Sequence, residues 1–217
     1  MKKQNVLITP TLLDSFDFAL GAPPSWKERA MKDFIGKIRR EKMTFPPWVQ
    51  RGIEFEDAVY DTCRRTRPGI PITNGSDKFK QVCEAVRGGT FQTVFKKTLI
   101  IDDLPVLLYN KTDVAFPDMI LDIKTTLKWK GENKYLSKWQ HKLYTYSSGK
   151  SEFQYLIVQW ESETSSKIKD IFYIPYTAPN FVDLEDEIVS HIRVLFDYLK
   201  RENLYDDYFH TFSNNKR

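Results

Sequence analysis

The sequence predicts an α/β (α+β) fold, in which helices flank a central mixed sheet and a helical extension precedes the core. Strand patterns dominate the middle of the 217-residue chain, and helical patterns lie before, between and after them. The order is helix, three strands, helix, two strands, helix, which is typical of helices packed on a mixed sheet. Hydrophobic residues make up 41% of the chain, enough to form a packed core.

The N-terminal part of the chain is predicted to be helical, with proline pairs separating its segments. Thr9 is the expected N-cap of a first helix, and Pro10 suits the first helical position because its missing N–H would have no partner there. Further helices are expected over Trp26–Lys42, Trp48–Arg65 and Asp77–Val86. The amphipathic pattern of Trp48–Arg65 predicts these buried side chains: Ile53, Phe55, Ala58, Val59 and Cys63.

Strand patterns follow, because apolar and β-branched residues then alternate between turn signals. The predicted strands are Phe91–Ile101 and Leu104–Asn110, a hairpin over Tyr109–Thr126 that turns at Pro117-Asp118, and Phe153–Trp160 and Ile168–Pro175. A helix is predicted over Tyr135–Ser148, and a long final helix runs from Asn180 or Asp183 to about Asn203.

The Tyr109–Thr126 hairpin carries the polar residues that indicate a function. Counting outward from its turn puts Asp113 opposite Asp122, and Lys124 emerges on the same face as Asp122. Like charges directly opposite each other repel, and charges on a covered apolar strand are costly unless paired or metal-bound. The hairpin therefore predicts a metal site with a built-in cation. The alternative is a hairpin whose charges point to solvent, and a one-residue bulge would make the acids diagonal neighbours.

A third carboxylate is expected from the Trp48–Arg65 helix. Gly52 and Glu56 are four residues apart and hence on one face. A glycine inside a helix costs about 1 kcal/mol relative to alanine, so it indicates close approach of another part of the chain. Glu56, one turn further on, would then reach the acidic site. Without the other motifs, a solvent-facing Glu56 is the better interpretation.

A basic segment follows the acidic strand. Six lysines and one acid, Glu132, lie between Lys124 and Lys142, which favours a polyanionic partner. In the same segment Gln140 and Tyr144 are four residues apart on one helical face, where both can donate hydrogen bonds to phosphate oxygens and the tyrosine can stack on a base. The alternative, which the pattern supports equally, is an ordinary amphipathic helix whose Gln and Tyr side chains form hydrogen bonds within the protein.

Composition excludes several classes of protein. No stretch approaches the roughly 20 apolar residues of a membrane span, and the first residues lack the apolar run of a signal peptide. Cys63 and Cys83 are the only cysteines, so they cannot supply the four thiolates of a zinc or iron–sulfur centre. We expect free thiols and a cytoplasmic location, which would be the host cytoplasm for a phage-encoded protein.

Four motifs in this order resemble the PD-(D/E)XK nuclease superfamily, in particular its RecB-like, Cas4-like and lambda-exonuclease-like branch. They are Gly52-x-x-x-Glu56, Asp113, Asp122-Ile-Lys124 and Gln140-x-x-x-Tyr144, and the resemblance covers roughly residues 48–176. It implies a restriction-endonuclease-like core within a single domain, 1–217. The expected parts are a helical N-terminal extension, 1–47, a nuclease core, 48–176, and a C-terminal helix, 177–217.

The resemblance implies an Mg²⁺- or Mn²⁺-dependent deoxyribonuclease, expected to be an exonuclease in phage-type DNA recombination, repair or processing. The implied catalytic residues are Glu56, Asp113, Asp122 and Lys124, and the implied metal ligands are Glu56, Asp113, Asp122 and the carbonyl of Ile123. The implied DNA-binding residues are Gln140, Tyr144, Lys128, Lys130, Lys134 and Lys138. Carboxylate and carbonyl oxygens suit Mg²⁺ or Mn²⁺ better than Zn²⁺.

The chain departs from the family pattern in two ways, and one assignment is ambiguous. Many members carry four cysteines that hold an iron–sulfur cluster, and this chain is expected to have none. Members often have His where this chain has Glu56. Pro117-Asp118 spells the literal "PD" of the family, so Asp118 is a weaker candidate for the role assigned to Asp113.

Two other functions are compatible with the same motifs. One is a non-catalytic DNA-binding subunit of a helicase or recombinase complex that keeps the nuclease fold. The other is an interaction module that uses the acidic C-terminal stretch, Asp183–Asp207, and the segment Trp26–Lys42. DNA is the expected partner, a helicase or a single-strand annealing protein is a further candidate, and an oligomer is compatible with the resemblance.

Overall fold

The computed structural model describes residues 6–42, 45–67 and 69–213, and for residues 210–213 it describes the backbone alone. The helices and strands are, in chain order, β1 (Val6–Ile8), α1 (Pro10–Gly21), α2 (Pro24–Ile38), α3 (Pro47–Arg65), α4 (Asp77–Val86), β2 (Thr90–Ile101), β3 (Leu104–Ala115), β4 (Met119–Thr126), α5 (Asn133–Leu136), α6 (Gln140–Ser148), β5 (Glu152–Trp160), β6 (Ile168–Thr177), α7 (Phe181–Arg201) and α8 (Tyr205–Ser213).

The strands form one mixed sheet in the order β1-β3-β4-β5-β6, and β2 pairs along the other edge of β3. The pairs β1–β3 and β4–β5 are parallel, whereas β2–β3, β3–β4 and β5–β6 are antiparallel. Helices cover both faces. The predicted fold class, a central mixed sheet flanked by helices, is confirmed. Among the described residues, no helix combines the length and apolarity needed to cross a membrane.

Local signals set several boundaries as predicted. Thr9 caps α1, accepting a hydrogen bond from the Leu12 amide at 3.2 Å, and α4 has its predicted bounds. Asp102 and Asp103 join β2 to β3 with φ values of 50° and 64°. Two successive positive φ angles suit the right-handed twist of the strands they connect.

Two predictions about the elements were incomplete. The strand β1 was missed because three residues are too few to show a period, yet it pairs in parallel with β3 and adds a strand to the segment expected to be a helical extension. The predicted Tyr135–Ser148 helix is divided into α5 and α6. The division coincides with a tertiary hydrogen bond, because the Trp139 amide donates to Asp14 Oδ1 of α1 at 2.9 Å.

The helix α3 packs against the sheet, but on a stripe slightly different from the predicted one. Phe55 and Val59 are buried as predicted, and the Phe55 ring contacts the Trp160 ring edge-on at 5.1 Å. Ile53 and Ala58 are exposed, so the prediction was wrong for both. The aromatic contact with β5 turns Phe55 inward, which places Ile53 on the solvent side.

Candidate active site

The β3–β4 hairpin has the predicted register. Val114 pairs with Leu121, and the next position outward places Asp113 opposite Asp122. One carboxylate oxygen of Asp113 accepts a hydrogen bond from the Ile123 amide at 2.9 Å. Because β4 pairs with β5 along its other edge and lies inside the sheet, the middle of the strand, which includes Asp122, is buried.

Asp122 is completely buried, and it contacts a cation and an amide. Its Oδ2 lies 2.5 Å from Lys124 Nζ, and its Oδ1 accepts a hydrogen bond from Gln140 Nε2 at 2.6 Å. The Lys124 side chain keeps 35% of its exposure, so the ammonium lies between the buried carboxylate and solvent. The interpretation of a hairpin with solvent-facing charges is therefore wrong for Asp122.

The charges of this pair determine its protonation. Burial raises the pKa of Asp122 well above its usual range, and the Lys124 charge opposes that shift. Burial alone would lower the pKa of Lys124, but the negative charges of Asp122 and Asp113 outweigh it and raise that pKa well above its ordinary value. Lys124 therefore remains a cation at neutral pH.

Glu56 reaches the same region from α3 because the helix lies against the end of β4. A Cβ atom added to Gly52 would lie 3.0 Å from Thr125 Oγ1, so the predicted close approach at this glycine is confirmed. Burial, followed by the charge of Asp113, raises the pKa of Glu56 to about 8. Glu56, Asp113 and Asp122 therefore share one electrostatic environment beside Lys124.

The residues present fit a divalent cation in charge and in donor chemistry. Three carboxylates and one ammonium leave two negative charges when all are ionised, and Mg²⁺ or Mn²⁺ prefers oxygen ligands. Burial and the charge of Asp113 raise the pKa of Glu56, and a cation bound beside these carboxylates would oppose both effects. Among the described residues, no three His, Cys, Asp or Glu side chains are already arranged to hold a metal ion. In Asp122 both oxygens contact protein groups, so Lys124 and Gln140 would have to move aside.

The raised pKa of Glu56 predicts a pH-dependent stability of the metal-free protein. The folded state holds this proton up to about pH 8, whereas the unfolded chain loses it near the ordinary glutamate pKa of 4.5. The folded state thus binds more protons between these values, so the free energy of unfolding falls as pH rises through that window. Denaturant titrations in chelator should show a shallower fall for Glu56→Gln, which stays neutral. Equal pH slopes for the two proteins would contradict the shared environment, and the exposed Glu54→Gln serves as the control.

Gln140 and Tyr144 face the acidic cluster from α6. Besides contacting Asp122, Gln140 Nε2 donates to the Tyr144 hydroxyl at 2.9 Å, and that hydroxyl donates to the Lys111 carbonyl at 2.7 Å. Tyr144 is buried, so in this structure its ring is covered by protein. The DNA-binding role of Gln140 and Tyr144 stays a prediction.

The lysines of the basic segment lie in two environments. Lys128, Lys130 and Lys134 are exposed and line a cavity next to Thr125 at the end of β4. Lys138 is half-buried, and its positive charge acts on Asp14 and Asp17 of α1. The structure brings the first three together around the cavity at the end of β4. Contact of all four lysines with DNA stays a prediction.

The sequence analysis missed Asp14 and Asp17, which connect α1 to the start of α6. Asp14 accepts from the Trp139 amide, and Asp17 accepts from Trp139 Nε1 at 2.7 Å. These bonds fix the residue that immediately precedes Gln140. The available signal was two acids three residues apart on an otherwise apolar helix, a spacing that places them on one face.

Comparison with known proteins identifies the fold. No protein-family model and no curated protein matches the chain. The crystal structure of SSO0001 superposes with a TM-score of 0.54 and 11% identity, over 89% of this chain and 79% of the other. LHK-Exo, an alkaline exonuclease from Laribacter hongkongensis solved in complex with dAMP, superposes with a TM-score of 0.50 and 13% identity, over 90% of this chain and 92% of the other.

At these identities the likeness establishes the fold alone. The chain has a mixed α/β architecture, a central mixed sheet with helices on both faces, and this fold is similar to that of LHK-Exo.

Proposed function

We propose that the protein is an Mg²⁺- or Mn²⁺-dependent deoxyribonuclease of the RecB-like, Cas4-like and lambda-exonuclease-like branch, acting as an exonuclease. The observation that carries the proposal is the buried cluster at the β3–β4 hairpin. Asp122 is fully enclosed, Asp113 lies opposite it, and Lys124 remains a cation beside both. Burying these charges is unfavourable in free energy, and a need to bind an ion would explain why they are buried together.

The residues of the cluster divide the chemistry between them. Glu56, Asp113, Asp122 and the carbonyl of Ile123 would hold one or two ions. A bound divalent ion lowers the pKa of a water molecule and neutralises charge on the scissile phosphate. Lys124, protonated and partly exposed, would orient the attacking water or stabilise the negative charge that develops on phosphorus-bound oxygens.

The surrounding residues would position the substrate. Lys128, Lys130, Lys134 and Lys138 would add salt-sensitive affinity for the DNA backbone. Gln140 contacts Asp122, so a shift of its amide toward a phosphate would also free a carboxylate oxygen for an ion. The neighbouring alkaline exonuclease was solved with dAMP, a mononucleotide, and release of mononucleotides is the exonuclease activity proposed for this chain. A helicase or annealing protein as partner, and an oligomeric assembly, are further parts of the proposal.

Incubation with linear and circular DNA tests the activity. With Mg²⁺ or Mn²⁺, we expect the protein to shorten end-labelled linear DNA from its ends and to leave a covalently closed circle intact. Chelator should stop the reaction, because no carboxylate of the cluster can replace the ion's charge. Cleavage of the circle at the same rate would contradict the exonuclease assignment, and no cleavage of either DNA would contradict the nuclease.

A non-catalytic DNA-binding subunit is the second candidate, and one observation favours it. Asp122 Oδ1 accepts a hydrogen bond from Gln140 and Oδ2 contacts the Lys124 ammonium, so protein groups already offset part of the charge of this carboxylate without an ion. Calorimetric titration with Mn²⁺ distinguishes the two functions. A nuclease site should bind Mn²⁺ with release of the Glu56 proton below pH 8. An inactive subunit should give no binding heat.

A further inference from the structure

A cavity of about 670 Å³ lies where β4 ends, and its wall includes Thr125, the residue that follows Lys124. Its walls combine two aromatic rings, three hydroxyl groups and four cations, which are Trp48, Trp160, Thr125, Thr126, Thr164, Arg51, Lys128, Lys130 and Lys134. Among the described residues, Glu163 is the one acid that lines it. Positive charge around an apolar floor is the combination that binds polyanions with flat faces.

Trp48 is the accessible ring in this cavity. Its side chain is 64% exposed in the first turn of α3, although large aromatic residues are usually buried. Gly52 follows one turn later against Thr125, and Glu56 follows one turn after that. The ring therefore lies on the same helical face as the catalytic candidate Glu56, at a distance of roughly 12 Å along the helix axis.

The lysines opposite Trp48 are held on a loop that the protein fixes from behind. The Trp129 ring stacks on the Phe172 ring at 4.3 Å, which anchors the middle of the loop. The Leu127 carbonyl accepts from Gln159 Nε2 at 3.1 Å, and the Lys128 carbonyl accepts from Thr126 Oγ1 at 3.0 Å. A loop fixed in this way presents its charges at a small entropic cost on binding.

The other aromatic ring of the cavity is already occupied. The Arg51 guanidinium lies 4.0 Å from the centre of the Trp160 ring and donates to the carbonyls of Ser162 and Glu163 at 3.0 and 2.8 Å. Trp160 is also buried. Arg51 and Trp160 therefore form the wall of the cavity, and Trp48 is left as its free stacking surface.

We propose that Trp48 stacks on an unpaired nucleobase while Lys128, Lys130 and Lys134 contact the adjoining phosphates. The occupant is thus single-stranded nucleic acid, because in a duplex the base faces are already stacked on one another and the ring would have no partner. This inference rests on the proposed nuclease function, since the strand lying on Trp48 is the one that leads to the acidic cluster. It specifies the substrate as a single-stranded or frayed end.

Binding of labelled oligonucleotides in chelator tests the proposal without requiring an active enzyme. A short oligothymidylate should bind Trp48→Ala roughly tenfold more weakly than wild type, the loss expected for one base–aromatic stack. Trp48→Phe should retain most of the affinity, and Trp48→Leu should not. A relaxed, covalently closed circular duplex should bind all of these within about twofold, since it offers neither an unpaired base nor an exposed terminal base pair.

Trp26 supplies the matched control. It is 54% exposed on α2 and does not line the cavity, so Trp26→Ala should bind both DNAs like wild type. Unchanged single-strand affinity in Trp48→Ala would overturn the inference, and so would equal losses on single strand and duplex. If the wild type cleaves no DNA with Mn²⁺ yet the binding pattern holds, the nuclease proposal fails and the single-strand site stands. If the wild type cleaves DNA but the binding pattern is not observed, the nuclease proposal stands and the single-strand site fails.

Discussion

Asp122→Asn is expected to abolish metal-dependent cleavage while leaving the fold and DNA binding largely intact. Asparagine keeps the shape of the side chain but removes the charge that would hold a divalent ion. Loss of a group that only orients a metal ligand typically costs 10- to 100-fold, so loss of a ligand should lower kcat by roughly 100-fold or more. Cleavage of end-labelled DNA under single-turnover conditions measures this effect. Lys124→Ala should be similarly inactive.

The turn residue Asp118 provides a control for the same experiment. It follows Pro117 in the hairpin turn and is exposed, so it lies outside the cluster that surrounds Asp122. Asp118→Asn should cleave like wild type, whereas Asp113→Asn should lose activity. If Asp118→Asn were inactive and Asp113→Asn active, Asp118 and not Asp113 would be the aspartate of the site. Wild-type rates in Asp122→Asn would refute the proposed site.

Lys124→Met is expected to lower the free energy of unfolding by about 3 kcal/mol in chelator at pH 8. Removing one partner of a buried ion pair leaves the other charge uncompensated, at a cost of about 3–5 kcal/mol. The lower figure applies because the Lys124 side chain is 35% exposed. Denaturant titration gives the value, and Lys130→Met, at an exposed lysine, should change stability by less than about 0.5 kcal/mol.

A second substitution separates the buried charge from lost packing. Asp122→Asn combined with Lys124→Met removes both charges, so the double variant should regain most of the lost stability. The loss in Lys124→Met should also shrink at pH 5. Burial raises the pKa of Asp122 in the folded state above its unfolded value, so the folded acid takes up a proton as pH falls. A loss that is equal at both pH values and persists in the double variant would mean that packing alone causes it.

The acidic hairpin could be predicted because its information is local. A proline-containing turn fixes the pairing of the residues on either side, and alternation then fixes which side chains share a face. The observed pairs, Val114 with Leu121 and Ala115 with Ile120, have this register, and counting outward from them brings Asp113 level with Asp122. Gly52 similarly allowed the close approach of another segment to be predicted, because a glycine destabilises the interior of a helix relative to alanine.

The partners of Asp122 could not be predicted from spacing. Gln140 reaches its carboxylate only because α6 begins where it does, and that start coincides with the hydrogen bond from Trp139 to Asp14, 125 residues away in the chain. The sequence pattern favoured one continuous helix there. A hydrogen bond to a residue of α1 could not be predicted from it, because the pattern reports only on neighbours along the chain. The exposure of Trp48 near the lysines that follow β4 could not be predicted either, since it depends on how α3 crosses the end of β4.

The sequence by itself determined the kind and order of most elements, the register of the hairpin, and the choice of acids and lysine for the candidate site. Each of these depends on neighbours along the chain, through hydrogen bonds, turn geometry and the periods of helix and strand. The tertiary structure alone decided that Asp122 is fully enclosed, that β1 joins the sheet, and that Trp48 faces a basic cavity. Those features arise where distant segments pack together, and packing depends on the shape and charge of both surfaces at once.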